Sequence, residues 1–226
     1  SDEQDIKKMG GLYDKIPVTY LLMLIGSLSL VGFPFFSAYY SKDLILEVLY
    51  VNNSSIKYYI YFVQVFVVFL TSFYSFRLLI YVFHGKSRAD EKVMAHIHES
   101  PNVMLLPLVI LSFFSIFAGL LFHDYFFGMN SIPFWKESIV NISGKETVSL
   151  VHSIPIYVKK IPLLMMFLGL VTALILYFFV KNVNLFFKEK FKPLYVFLKN
   201  KWFIDEIYSF LIIKPINFLG NGFWKS

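Results

Sequence analysis

Cysteine is absent from the 226 residues, so the chain forms no disulfide, ligates no iron–sulfur cluster and performs no thiol chemistry. Charge is scarce as well. Only 16% of the residues are Asp, Glu, Lys or Arg, against roughly 25% in ordinary soluble domains. A phosphate-binding glycine loop, a nucleophile–base arrangement and a hydride-cofactor fingerprint are all missing from the sequence, as are ligand patterns for heme or flavin. No catalytic, cofactor-binding or metal-binding residue is therefore assigned within the chain. Internal repeats and low-complexity linkers are missing too. The first residues, Ser1 to Lys8, include neither an initiator Met nor the apolar core of a signal peptide, which leads to the expectation that the chain starts inside a longer one.

What the sequence does have is apolar length. Hydrophobic residues make up 57% and aromatic residues 20%, with a mean hydropathy of +0.63. The bilayer is the solvent that suits this composition. Four runs approach or exceed the roughly 20 residues needed to cross a hydrocarbon core: about 16–39, 58–83, 103–122 and 161–180. Backbone amides in lipid must pair within the protein, and the alternating ten-residue strands of a barrel are lacking. The predicted fold is all-α, a polytopic transmembrane helix bundle occupying residues 1–180. The longest polar connection, His123 to Lys160, carries Pro133, Pro155 and, just beyond it, Pro162, which argue against continuous helix there.

The formal charge of +6 does not point to nucleic acid, because the basic residues lie between and after the apolar runs. Alternating sides place fourteen Lys/Arg with the N-terminus, the 84–100 loop and the tail, and five on the opposite side. The positive-inside rule then puts both ends of the chain on the cytoplasmic side, or the matrix side in an organelle. Residues 181–226 change character. Lysines, aromatics and Pro193 rule out a fifth span, and the stretch from Lys201 to Pro215 reads as an amphipathic, interfacial (lateral) helix along a membrane or a partner.

Within the first run, Gly32 and Pro34 predict a helix break near Pro34. Broken membrane helices expose backbone polar groups and often mark ion pathways. Lys42 and Asp43 follow, with Glu47 beyond them. An ionisable pair at membrane depth is costly unless paired or hydrated, and burial brings a lysine's proton affinity toward the physiological range, as a proton relay requires. Counted as straight helix from Ile16, however, Lys42 stands about 39 Å along, past a core of about 30 Å. Counting alone thus favours the interface. Arg77 and Gln64 lie inside the second run. Arg77 reads as a snorkelling or interhelix-pairing residue and Gln64 as hydrogen-bonding support between helices. His96-Ile97-His98-Glu99 matches no closed zinc pattern. Ser100 and Pro101 read instead as the cap and first residue of the third helix.

Several ordered motifs then coincide: Asp2 to Leu12 with Pro17-Val18-Thr19-Tyr20, Gly32-Phe33-Pro34, and Tyr40-Ser41-Lys42-Asp43. They continue through Phe76-Arg77-Leu78, Phe83-His84-Gly85-Lys86, His98-Glu99-Ser100-Pro101 and Lys201 to Tyr208. This series resembles the antiporter-like, proton-translocating subunits of respiratory complex I, NADH:quinone oxidoreductase, and among them the C-terminal third of the largest. The resemblance implies that Lys42 carries the charge of a half-membrane proton channel, with Asp43 as its exit-side partner. It also implies a bacterial inner membrane or a mitochondrial inner membrane as location. The implied partners are the lipid bilayer, the other membrane-arm subunits and the missing N-terminal part of the same subunit. NAD, flavin, iron–sulfur clusters and quinone are expected only in those partner subunits. Two alternatives stay open at this point, a subunit of a multisubunit sodium/proton antiporter and a non-pumping structural membrane fragment.

Overall fold

The computed structural model describes residues 3, 5–51, 54–128, 130–136, 138, 154–179 and 188–225. They are helical, with no strand among the described residues. The chain divides into two compact units, Ser1–Phe179 and Val180–Ser226.

The first unit is built on α1 (Pro17–Val31), α2 (Ser37–Val51), α3 (Lys57–Phe83), the short α4 (Glu91–Ala95), α5 (Asn102–Phe126), the short α6 (Ser131–Trp135) and α7 (Ile156–Leu174), which runs on as a π-turn, Ile175–Phe179. The three runs Lys57–Phe83, Asn102–Phe126 and Ile156–Phe179 are long and apolar enough to cross a membrane, and α1 is a shorter apolar helix. The first predicted run does not stop at 39. It is two half-helices, and the second continues to Val51 through Lys42, Asp43 and Glu47. Hydropathy loses the helix there because charges interrupt the apolar run, whereas the backbone hydrogen-bond ladder continues. At the other end of the unit, α7 begins at Ile156 rather than 161, and Pro162 lies inside it instead of bounding it.

The direction of each helix follows from side-chain pairs. Tyr20 of α1 meets Phe83 and His84 at the end of α3, so α1 starts where α3 finishes; this end is the first face. Tyr50 of α2 meets Tyr58 and Tyr61 at the start of α3, marking the second face. Thr19 contacts Glu99 just before α5, and Tyr40 packs on His123 near its end, so α5 runs from the first face to the second. On α7, Val158 accepts a hydrogen bond from Tyr61, while Phe178 beyond it reaches His84. α7 therefore runs parallel to α3.

The core lies where α3 meets α7 and the half-helices. Val31, Leu46, Val68, Phe76, Leu79, Phe83, Met166 and Ala173 are buried together. Close approach of α3 and α7 depends on small residues. A Cβ at Gly169 would stand 2.5 Å from the Phe69 carbonyl oxygen and 2.7 Å from Ser72 Cβ, and the Ser72 hydroxyl donates to the Met166 carbonyl at 2.7 Å. In lipid, where burial from water drives no helix pairing, such small-residue contacts and interhelix hydrogen bonds hold a bundle together.

Pro101, not Ser100, occupies the N-cap position of α5, and Asn102 is its first residue. No side chain caps α5, and Glu99 just before it instead reaches across to the start of α1. It accepts from the Val18 amide at 2.9 Å, from the Thr19 amide at 3.3 Å and from the Thr19 hydroxyl. Partial burial pushes its proton affinity up. The Thr19 hydroxyl, the Val18 and Thr19 amides and the Ser100 amide outweigh that and hold the carboxyl below the ordinary glutamate range. A carboxylate here satisfies the orphan amides of α1 and complements its positive end.

The second unit is described by itself. It comprises α8 (Lys192–Lys199), α9 (Ile204–Tyr208), a π-turn at Ser209–Ile213 and α10 (Lys214–Lys225). The amphipathic stretch is not one straight helix. Lys201, Trp202 and Phe203 all take left-handed φ, between 51° and 64°, and bend it at the start of the motif. Residues 180–187, before and in the first part of the tail, and residues 139–153 of the loop from His123 to Lys160 lie outside the described residues.

Candidate functional site

The break in the first span is made by glycine before proline acts. Gly32 takes φ 83°, and its amide donates to the Ser29 carbonyl while the Phe33 amide donates to Leu28. These two bonds are a Schellman ending, which needs a residue with no Cβ penalty in left-handed φ. Pro34 then cannot resume the ladder, and Phe35 follows, also left-handed at φ 75°. The chain re-enters helix at Ser37.

Such an ending leaves the last carbonyls of α1 without intrahelical partners, at the negative end of a helix dipole. Lys42 answers this. Its Nζ lies 3.4 Å from the Val31 carbonyl oxygen, reaching back eleven residues across the break. Lys42 and Asp43 line a small cavity with Val31, Gly32, Tyr39, Val68, Pro162, Leu163 and Met166. Its volume, about 10 Å³, is close to the least that admits one water. Val68 lies 11 residues after Lys57 and 15 before Phe83, roughly 17 Å and 23 Å along α3. Lys42 thus sits at the mid-depth of α3. A straight-helix count does not carry across the break, because residues 32–36 are not helix and a lysine side chain is long.

Asp43 is half-buried beside Lys42 and within electrostatic reach of both Lys42 and Glu47. The structure therefore brings together four of the residues singled out from sequence: Gly32, Pro34, Lys42 and Asp43. The other two stand apart. Arg77 is half-buried in α3 toward the first face, its guanidinium 5.8 Å from the Tyr81 ring and 5.9 Å from the Tyr177 ring. It joins α3 to the end of α7 through aromatic faces, while its Nε is buried without a hydrogen-bond partner among the described residues. Gln64 is exposed, and no described helix covers it. Its helical position, one residue before buried Val65, turns it outward. His96 and His98 bond local carbonyls, of Lys92 and Glu99, rather than converging.

Residues missed by sequence reasoning are Tyr39, on the cavity, and the Glu47–Lys159 pair at 3.9 Å. Glu47 had a signal, lying four residues after Asp43 on the same helical face. Lys159 had none, because only the tertiary fold brings α7 against α2.

Residues 1–73 match the family described as NADH:quinone oxidoreductase/Mrp antiporter, TM, and residues 74–143 match that described as NADH dehydrogenase subunit 5 C-terminus. NADH-ubiquinone oxidoreductase chain 5 of Acanthamoeba castellanii is 38% identical over 94% of this chain, and that of Phytophthora infestans 41% identical over 92%. NADH-quinone oxidoreductase subunit L of Rickettsia bellii is 36% identical over 99%. The alignments cover 32%, 31% and 34% of those relatives, so the chain spans about a third of their length.

Proposed function

We propose, from the premise that this chain resembles the C-terminal part of NADH-ubiquinone oxidoreductase chain 5 and of its bacterial counterpart subunit L, that it carries part of a transmembrane proton path in a respiratory NADH:quinone oxidoreductase. The observation that carries this reading is Lys42, a cation at mid-depth, set at a helix break and on a cavity of single-water size. Charges at such depth are expensive and mark ion pathways.

The chemistry is proton transfer alone. Lys42 accepts a proton, holds it against the Val31 carbonyl, and passes it on by way of cavity water and Asp43. Quinone reduction elsewhere in the assembly drives the cycle by biasing the charges around it. NAD, flavin, iron–sulfur clusters and quinone belong to partner subunits. The remaining membrane-arm subunits, and the rest of a full-length subunit, complete the path. The first face, with its basic 84–100 loop, lies toward the cytoplasm or matrix, and the second face lies outward. The membrane is a bacterial inner membrane or the inner membrane of a mitochondrion.

The test is Lys42→Ala in the full-length subunit within the assembled enzyme. NADH-driven proton uptake into inverted vesicles should fall while the complex still migrates as one NADH-oxidising band. Uptake undiminished per NADH would overturn the role of Lys42. Because the first matching family also takes in Mrp antiporters, sodium-dependent proton exchange that needs no NADH would move the assignment to that branch.

A further inference from the structure

The charged groups of α2 do not end at Asp43. Glu47 lies one turn closer to the second face, its side chain 13% exposed, and its Oε2 is 3.9 Å from Nζ of Lys159, whose side chain is 37% exposed. Lys159 belongs to the first turn of α7, near the second face. α2 is anchored to α7 on that side by packing of Leu44, Val48 and Val51 against Ile154 and Val158. Tyr39 of α2 and Tyr61 of α3 also lie within electrostatic reach of Glu47, and Asp43 feels its charge. The Tyr61 hydroxyl is tied to the Val158 carbonyl at 2.9 Å, fixing that wall.

The ionisable groups therefore stand in order: Lys42 on the cavity, Asp43 beside it, Glu47 almost enclosed, and Lys159 at the rim. A nearly enclosed carboxylate facing a half-exposed cation differs from a surface ion pair, because protonating the acid removes its reason to hold the lysine. Lysine's flexible, strongly hydrated head suits such a release.

Resting on the reading of Lys42 as a proton carrier, we infer that Glu47 is the exit-side relay of this path and that Lys159 is the positioning residue that latches it. An N–H bond of the Lys42 ammonium breaks and, through cavity water or Asp43, an O–H bond forms on Glu47. The neutral acid loosens Lys159, which turns to solvent. The O–H bond of Glu47 then breaks, giving its proton to water at the second face, and the restored carboxylate recaptures Lys159. Atoms and charge balance without any redox partner, and the re-formed pair blocks return.

The experiment uses the assembled enzyme with full-length subunit in inverted vesicles, measuring protons taken up per NADH oxidised across a range of pH. Glu47→Gln should lower the ratio as far as Lys42→Ala does, and Glu47→Asp should restore part of it. Lys159→Gln should move the pH profile of pumping toward alkaline values, since the cation favouring the charged carboxylate is gone, and Lys159→Arg should return it. Native gels stained for NADH oxidation establish that each variant is assembled. Full pumping by Glu47→Gln, alongside loss in Lys42→Ala, overturns the relay alone. Full pumping by Lys42→Ala overturns the underlying channel reading. Should Glu47→Gln fail to assemble, an unchanged pH profile in Lys159→Gln overturns the inference by itself.

Discussion

α3 and α5 are both long apolar helices, and α5 is the more apolar of the two, yet a third of the most apolar stretch of α3 is buried (33%) against 6% for α5. The difference lies in which small and polar residues each helix turns inward. α3 buries Thr71, Ser72 and Ser75, and of these Ser72 meets Gly169 and Met166 of α7. α5 buries Ser112 and packs mainly on the half-helices, closest where Gly119 approaches Ser37 and Tyr40, with the Ser37 hydroxyl donating to its Phe114 carbonyl and accepting from its Gly119 amide; its other faces stay largely exposed among the described residues. Hydropathy measures compatibility with lipid, which both helices have. Packing partners are chosen by small residues, which hydropathy scores hardly register.

The contrast breaks most sharply at Gly169. Gly169→Leu would force a side chain into the Phe69 carbonyl and Ser72, and overpacking of this kind costs about 1–3 kcal/mol or more. The full-length subunit should then fail to assemble, read as loss of the NADH-oxidising band on native gels. Gly26→Ala in α1, where an added Cβ meets nothing within 4 Å, should leave the band intact.

Smaller in effect is the tie that holds α5 by its entry. Glu99→Ala removes the acceptor for the first amides of α1, a loss of about 1 kcal/mol by analogy with ordinary caps. The pH sign follows from its depressed proton affinity in the fold. Its stabilisation is present above the ordinary glutamate value and is lost as pH falls through the lower folded value. Thermal melts of detergent-solubilised protein should show the wild type converging on Glu99→Ala as acid is added. A constant gap between the two would contradict the assignment.

The smallest change sharpens the comparison from the α3 side. Ser72→Ala deletes the hydrogen bond to Met166, worth about 0.6 kcal/mol for interhelix bonds in membranes. The same melts should show a modest loss, and greater stability in the variant would mean that shape rather than bonding holds α3 to α7.

Much of this fold was readable along the chain. Apolar length marked the three helices long enough to cross a membrane, and Gly32 with Pro34 marked the break. The extent of the broken span was not readable, because α2 carries Lys42, Asp43 and Glu47 and looks like the end of a hydrophobic run. For Arg77 the sequence suggests snorkelling or interhelix pairing, and the rings of Tyr81 and Tyr177 that its guanidinium faces are not visible along the chain. Gln64 was given an interhelix role, and the fold leaves it exposed.

The sequence by itself determined the solvent of the protein, its helical class, the position of the break and the identity of the charged residues beside it. Each of these follows from local chemistry: apolar length, backbone pairing in lipid, glycine's freedom at left-handed φ and proline's missing amide. Only the tertiary structure decided how deep Lys42 lies and what Glu47 faces. Depth depends on where α3 and α7 pack against a chain that has stopped being helical, and the Glu47–Lys159 pair joins residues 112 positions apart. No local pattern encodes such a meeting, because it is set by the packing of Leu44, Val48 and Val51 of α2 against Ile154 and Val158.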